Sequence, residues 1–441
     1  MSTAQTQQTE KKTEVGSYFI SNYPPYSRWN ADAIGAVEQA LHQPPQVTTP
    51  LGLYLHIPFC RKRCKFCYFK VFTDVKAEDV QRYVDALCKE ISMVAELPIM
   101  GGRPFRFVYF GGGTPSFLSP KQLTLLAERL REHISWDGAE EVTFECEPGT
   151  LSETKVKTLR EQVGVTRVSL GVENFDDKVL EENGRAHLSK QVFAAWQWIQ
   201  DAGFANVNID LISGMVGESW DNWKENIRRT IELSPDSVTI YQMELPFNTV
   251  YSADILGNKI ETPVADWPTK RAWVDYAFAE LESAGYSVSS AYTMVKDASK
   301  VNFSYRDNLW SGADLIATGI ASFGHASGIH YQNLADLEKY YAAIDAGHLP
   351  LGRGFVPTKH QLLVREMILL LKRGYLSRGY FRDKYGVDIY EKWADAWQNS
   401  IDNEHVAIDG DTIRLSRAGL LRADALLPAF FEQEHQGVRY T

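Results

Sequence analysis

From Leu51 to Glu244 the chain alternates short apolar runs with longer amphipathic stretches, and nothing else in it restricts the fold as much. Candidate strands are Leu53–His56, Phe107–Phe110, Val142–Cys146, Arg167–Gly171, Asn206–Ile212 and Val238–Glu244. Between them the periodicity predicts helices over Ala77–Glu96, Pro120–Arg131, Ser152–Gln162, Ser189–Ala202 and Ser219–Leu233. Strictly alternating strands and helices predict an α/β domain with a parallel sheet, because parallel neighbours need a crossover long enough to hold a helix. Six such units fit a partial (β/α)6 barrel better than a closed eight-stranded one; an open doubly wound sheet would show the same spacing. A barrel of this kind gathers the C-terminal ends of its strands on one face, where such folds carry their chemistry.

The first strand runs into Cys60, Cys64 and Cys67, three of the five cysteines, at the spacing C-x3-C-x2-C. Crowded thiolates suit zinc, copper(I) or an iron–sulfur cluster. A structural zinc site wants four ligands, and Cys88 and Cys146 lie outside the loop. Three thiolates can hold three irons of a 4Fe–4S cubane and leave the fourth iron open. Buried structural cysteines or an incomplete zinc knuckle are the bland alternatives. Against them stand Arg61, Lys62, Arg63 and Lys65, which an apolar buried segment would not contain and which read as balancing an anionic cluster.

A chain of 441 residues can bury a large core. Its formal charge of −10 argues against a nucleic-acid binder, which needs a basic surface. An odd cysteine count with three in one loop argues against a disulfide framework and for a reducing compartment. The opening MSTAQTQQTEKKTE has no apolar core of a signal peptide, and no run is long enough to span a bilayer. The expectation is a cytoplasmic monomer without membrane or nucleic-acid partners.

Four regions follow from composition. Residues 1–50 form a polar tail, disordered to about residue 16, and an aromatic, proline-rich extension, Tyr18–Trp29, before a short helix over Asp32–Leu41. This extension is either a strap on the surface or a flap over the active site. Residues 51–256 form the partial barrel. Residues 257–356, with one helix at Trp267–Ser283 and otherwise short strands and loops, complete its cavity. Residues 357–441 form a small helical, winged-helix-like accessory domain, with helices over Lys359–Lys372, Tyr380–Tyr385 and Ile389–Asn399 and a hairpin turning at Asp409-Gly410.

The stretch LYLHIPFCRKRCKFCYF resembles the signature of the radical S-adenosylmethionine (SAM) superfamily. HIPFC narrows the resemblance to the branch of oxygen-independent coproporphyrinogen III oxidase and its haem-chaperone and methyltransferase relatives, and the match runs over roughly residues 18–440. It implies a 4Fe–4S cluster on Cys60, Cys64 and Cys67. It further implies a SAM site made from Tyr54, Phe66, Gly112, Gly113, Thr114, Glu145, Glu173, Arg185, Asp210, Gln242 and Met243, with Tyr54, His56 and Glu145 as catalytic residues. In that reading the Gly111-Gly112-Gly113-Thr114 turn, whose glycines let a ligand approach backbone N–H groups, binds the SAM amino group. Arg185 pairs the SAM carboxylate, Asp210 lies near the ribose or sulfonium, and Gln242 and Met243 line the pocket through backbone groups. Glu173 stands where the pattern has Gln. Read from the residues alone, Asp210 in so apolar a strand needs a cation or hydroxyl partner, and Cys146 alternates to the core side of its strand.

The resemblance implies a radical enzyme that cleaves SAM reductively, fed by a reductant such as flavodoxin or ferredoxin and acting on a small molecule, with a tetrapyrrole as the implied class. Two alternatives remain open: a methyltransferase using two SAM molecules, and a haem chaperone without turnover, for which His325 and His330 are candidate axial ligands. Arg28, Arg61 and Arg63 could bind propionates. The segment Gly328–Asn333 resembles a Y-x-Q-N motif that joins the second cofactor or substrate pocket. Phe69 replaces a further cysteine of the oxidase, which points away from protoporphyrinogen as product.

Overall fold

The computed structural model describes residues 19–46, 48–259 and 264–438, so the tail expected over residues 1–16 lies outside the described residues. Six strands alternate with helices: β1 Leu51–Ile57, β2 Phe105–Gly112, β3 Glu141–Cys146, β4 Arg167–Glu173, β5 Asn206–Ser213 and β6 Ser237–Gln242. Each pairs in parallel with the next. When every crossover steps to the adjacent strand and parallel crossovers share one hand, the sheet curls with its helices outside. The sheet does not end there. Asp314–Thr318 pairs in parallel with β1 and is followed outward by the antiparallel strands Phe323–Ala326, Ile329–Asn333 and Leu351–Phe355. Thr293–Val295 pairs antiparallel with β6, and Ser287–Val288 pairs antiparallel with Thr293–Val295. The twelve-stranded order thus places the six parallel units in sequence at its centre, a partial barrel and not a doubly wound sheet, in which the strand order would reverse.

Local chemistry sets the helix ends. Ser119 accepts from the Gln122 N–H at 3.2 Å while the Gln122 side chain accepts from the Ser119 N–H at 2.9 Å, a capping box that starts Pro120–Arg131. Two expected helices differ. The stretch Ser152–Gln162 is an α-helix only over Glu153–Thr158, then widens to a π-turn, Leu159–Val163, that ends on Gly164 at φ 79°. Ile389–Asn399 is broken at Trp393 (φ −123°) into Ile389–Lys392 and Ala394–Asp402. The region before Asp314 also holds a helix, Ser304–Trp310, that the periodicity did not mark.

A second apolar core gathers Leu363–Leu371, Trp397, Phe430 and the three-stranded sheet Tyr375–Ser377, Thr412–Leu415 and Val406–Asp409. Ile20 and Tyr23 of the N-terminal extension belong to it, and Arg365 Nε donates to Asn22 Oδ1 at 2.7 Å. Lys372, fully buried, donates to the Ile20 carbonyl and pairs Asp424 at 2.8 Å. The extension is therefore a strap that ties the C-terminal core to the barrel.

The barrel and its antiparallel edge are joined through Glu90, which is 1% exposed on the helix Ala77–Ala95. It accepts from the Gly319 N–H (2.7 Å), Asn333 Nδ2 (2.7 Å) and the Tyr340 hydroxyl (2.6 Å). Burial pushes its pKa up to about 7 against the pull of these donors. The folded value lies above the unfolded 4.5, so the folded chain holds the extra proton and this group's contribution to stability falls as pH rises from 4.5 to about 7. Glu90→Ala leaves three buried donors without an acceptor and should cost about 2 kcal/mol or more. It should also flatten the fall in stability across that pH window. Denaturant unfolding at both pH values checks this, and an unchanged midpoint and slope would contradict it.

Candidate active site

The loop after β1 is held against the strand ends by backbone. Cys60 N–H donates to the Phe72 carbonyl (3.0 Å), Phe72 N–H to the Pro58 carbonyl (2.8 Å), and Lys65 N–H to the Asn183 carbonyl (3.1 Å). Gly113 packs directly beneath it: a Cβ there would lie 2.9 Å from the Pro58 carbonyl carbon and 3.1 Å from Cys60 Sγ, so only glycine fits. Arg63 favours the Cys67 thiolate electrostatically, as a counter-charge would, but the direct bonds of the loop's basic residues go elsewhere. Arg61 donates to the Gly149 carbonyl (2.6 Å), Arg63 to the carbonyls of Cys67 (3.3 Å) and Asn248 (3.2 Å), and Lys65 pairs Glu182 (3.0 Å). They staple the loop in place. The guanidinium that touches a sulfur is Arg185, whose Nη1 lies 3.4 Å from Cys64 Sγ.

Cys60, Cys64 and Cys67 all line one cavity of about 910 Å³. Burial pushes the Cys60 thiol up to about 12 and Cys67 to about 11, so thiolates here need a strong cation beside them. The three sulfurs do not all lie within 4.8 Å of one another. A tetrahedral zinc with its 2.3 Å bonds would need its sulfurs about 3.8 Å apart. The donor set therefore fits a cluster of several irons and not a single ion. Cys146 packs its thiol in the core and Cys88 lies in the helix Ala77–Ala95.

Phe66, Gly112, Gly113, Thr114, Glu145, Glu173, Arg185, Asp210, Gln242 and Met243 line the same cavity. Glu145 accepts from the Tyr109 hydroxyl (2.7 Å) and the Gly112 N–H (3.3 Å); burial, helped by Asp210 and Glu173, pushes it up to about 7. Glu173 sits at φ 63°, left-handed backbone that a glutamate rarely adopts, at a register shift in β4. That twist brings it 3.6 Å from Arg185 Nη2, and burial raises it to about 7 although Arg185 opposes the rise. Arg185 also donates to the Gly171 carbonyl (2.8 Å); burial opposes its charge, yet Cys64 and Glu173 hold its pKa above the ordinary value. Asp210 has the hydroxyl partner expected, Ser169 Oγ at 2.6 Å, and accepts from Asn208 at 2.9 Å. Thr114 Oγ1 donates to Cys60 Sγ at 3.2 Å.

Several expectations need correction. The Gly112 and Gly113 N–H groups are engaged within the chain, by Glu145 and by the Ile57 carbonyl (2.8 Å), so an amine placed here meets acceptors and not these donors. The Met243 N–H donates to the Ser213 carbonyl (2.8 Å) and its carbonyl accepts from Lys270 (2.7 Å), whereas Gln242 Oε1 is buried without a partner. Tyr54 and His56 sit one layer behind the wall. Tyr54 stacks on Tyr109 and lies 3.4 Å from His56 Nδ1, and the His56 ring packs against Gly112, its pKa brought down to about 4 by burial. Arg28 lies away from the cavity and donates to the Glu434 carbonyl, while Arg61 and Arg63 line it. Tyr331, Gln332 and Asn333 do not line it either: Asn333 serves Glu90, and Tyr331 bonds Ala317. His325 and His330 face each other with Nδ1 atoms 2.8 Å apart, buried beside Trp29, and burial holds both pKa values well below ordinary. They contribute nothing to the cavity wall.

Sequence reasoning missed Tyr109, which supports Glu145. Its signal was its place two residues before the glycine turn, on the inward face of β2. The cover of the cavity comes from three of the regions read beyond the barrel. Phe19–Ser21, the helix Ser304–Trp310 and Leu420–Asp424 all contribute walls, and the rings of Tyr68 and Phe69 lie together, 4.5 Å apart, at 40% and 43% exposure.

Residues 54–230 match the model of the radical SAM superfamily. The chain is 31% identical to the haem chaperone HemW of Lactococcus lactis over 298 residues, 67% of this chain and 74% of that protein. It is 27% identical to the oxygen-independent coproporphyrinogen III oxidase of a Synechocystis species over 382 residues, 83% of this chain and 80% of that one. The crystal structure of coproporphyrinogen III oxidase from Escherichia coli, 23% identical, superposes with a TM-score of 0.81 over 93% of this chain and 96% of its own, so the two share a fold. A wound parallel sheet, a triad of cysteines at the end of its first strand and these relatives together place the chain in the radical SAM superfamily, in the branch of the oxygen-independent coproporphyrinogen III oxidases and haem chaperones.

Proposed function

We propose that this protein is a radical SAM enzyme that uses a 4Fe–4S cluster held by Cys60, Cys64 and Cys67 to transform a tetrapyrrole. One observation carries the reading. Three thiols too widely spaced for a single ion border the same 910 Å³ cavity as Glu145, Arg185 and Asp210. When bound, cluster and SAM supply one-electron cleavage of the cofactor to methionine and a 5′-deoxyadenosyl radical able to abstract a substrate hydrogen. The chain's own residues bind, orient and exclude water. Arg185 sets a fixed positive charge between Cys64 and Glu173, next to where a SAM carboxylate would lie. Glu145, poised near neutrality, accepts from an amine or returns a proton. Asp210, fixed by Ser169 and Asn208, presents an oriented acceptor to ribose hydroxyls. The strap and the C-terminal region line the cavity and narrow its access to water, which would help protect a radical from side reactions. A flavodoxin- or ferredoxin-type reductant would deliver the electron.

The tetrapyrrole assignment draws on the names of the relatives, a coproporphyrinogen oxidase and a haem chaperone. Turnover is favoured over a chaperone role because His325 and His330 are buried against each other, off the cavity. Phe69, exposed beside Tyr68, gives the loop an aromatic face where the oxidase has a thiol, so coproporphyrinogen decarboxylation should be weak or missing.

Cys60→Ala, Cys64→Ala and Cys67→Ala should each abolish SAM cleavage and lower bound iron and sulfide, while Cys88→Ala should leave both intact. Undiminished iron and sulfide in the triple variant would remove the cluster assignment. Anaerobic incubation of the reconstituted protein with SAM, reductant and porphyrinogens or porphyrins should yield 5′-deoxyadenosine, faster with the true substrate. Mass spectrometry of products sorts the chemistry: deoxyadenosine alone means oxidation or decarboxylation, and deoxyadenosine with S-adenosylhomocysteine means methyl transfer. Neither product, from a protein with an intact cluster, would defeat the enzymatic reading.

A further inference from the structure

The cavity does not stop at the cysteine end of the strands. Its wall includes Thr143 and Glu145 of β3, Arg167, Ser169, Gly171 and Glu173 of β4, and Asn208 and Asp210 of β5. These are every second residue of each strand, the inward face of the barrel. The lumen is therefore lined from one end of the sheet to the other, and from Arg167 to Glu173 that is about 20 Å of strand.

Charged groups line both ends. At the cysteine end stand Glu145 and Glu173 with Arg61, Arg63 and Arg185, and Asp210 lies part-way down β5, opposite Gly171. At the start of the strands stands Arg167, 5% exposed, whose Nη2 donates to Ser237 Oγ at 3.0 Å. Its Nη1 is buried with no hydrogen-bond partner; Arg167 favours the charged form of Asp210 from a distance, but that carboxylate is bonded by Ser169 and Asn208 and does not reach it. The guanidinium lies over the ring of Phe303 at 4.0 Å, and Arg306 approaches the same ring at 4.3 Å. Arg306 is paired with Asp307 (2.7 Å), which Arg373 also approaches at 3.9 Å. The other carboxylate of this end, Glu141, already accepts from the Ser304 N–H (2.7 Å) and the Thr143 hydroxyl (2.6 Å).

A buried guanidinium with an unused donor edge is costly unless something anionic completes it. We infer that Arg167, resting on Phe303 at the deep end of the barrel, is a binding site for a carboxylate arm of the substrate. The class follows from geometry. A guanidinium presents a planar fork matched to a carboxylate. Anchoring an anionic arm there would set which part of a long substrate reaches the cysteine end. The inference rests on the tetrapyrrole reading for the body of the ligand, but the arginine site itself does not.

The test uses the full-length reconstituted protein with mesoporphyrin IX and its dimethyl ester as probes, titrated by fluorescence into wild type, Arg167→Gln and Arg167→Lys. The free acid should bind wild type about tenfold or more tightly than the ester. Arg167→Gln should bring the two together by weakening the acid alone, with ester affinity and iron content unchanged, and Arg167→Lys should restore part of the preference. Equal binding of acid and ester by wild type, or equal loss of both in Arg167→Gln, overturns the site while the tetrapyrrole reading stands. Binding of neither porphyrin defeats the tetrapyrrole reading instead. The arginine is then judged on wild type, with no variant to misfold, by phenylglyoxal labelling and peptide mapping. Slower labelling of Arg167 in millimolar adipate supports the site, and labelling indifferent to adipate overturns it.

Discussion

Three cysteines crowd the end of one strand, Cys60 buried and Cys64 and Cys67 half-buried, and burial disfavours the thiolates of Cys60 and Cys67 unless cations stand beside them; the surrounding structure answers that constraint. The backbone bonds from Cys60 to Phe72 and from Lys65 to Asn183 fix the loop before any metal is considered. Glycine at position 113 lets β2 pass under Cys60. Arg185 reaches across from beyond β4 to stand beside Cys64, and the left-handed turn at Glu173 brings a carboxylate to the far side of that arginine. Thiol, guanidinium and carboxylate form one electrostatic unit. Removing the arginine would leave two groups whose charges are unfavourable when buried alone.

Beside that unit stand two carboxylates near neutrality, Glu145 and Glu173, each pushed up to about 7 chiefly by burial. Their charge state will follow what binds, since a nearby cation favours the ionised form. Arg167 stands at the opposite end of the lumen, beside Glu141. A substrate carrying carboxylate arms on a broad apolar body suits such a lumen, and the N-terminal strap and C-terminal residues that cover it contribute Phe19, Ile20 and Leu421 to its wall.

Much of this architecture was legible in the sequence. All six barrel strands and the longer helices between them follow from alternating periodicity, because burial on both faces makes each strand a short apolar run, whereas the short helix Asp177–Glu182 does not. The cysteine loop and the carboxylates at strand ends were readable for the same reason: position after a strand fixes the face. What escaped depends on contacts between distant segments. The π-turn at Leu159–Val163 and the break at Trp393 leave no mark on hydrophobic spacing. Tyr331 and Asn333 look like pocket residues in isolation, yet pairing of their strand turns them toward Ala317 and Glu90. That the loop's basic residues also staple it in place is invisible in sequence, because a partner such as the Asn248 carbonyl bonded by Arg63 lies more than a hundred residues away. Arg167 looked like the first residue of a strand and nothing more.

The account stands on the coupling of a cysteine-bound cluster to SAM. Electron paramagnetic resonance of the anaerobically reduced protein, recorded with and without SAM, measures that coupling without knowledge of the substrate. The signal of a reduced iron–sulfur cluster that changes when SAM is added, and that is missing from the triple cysteine variant, is the result predicted. A signal indifferent to SAM, or one that survives loss of Cys60, Cys64 and Cys67, would contradict the account.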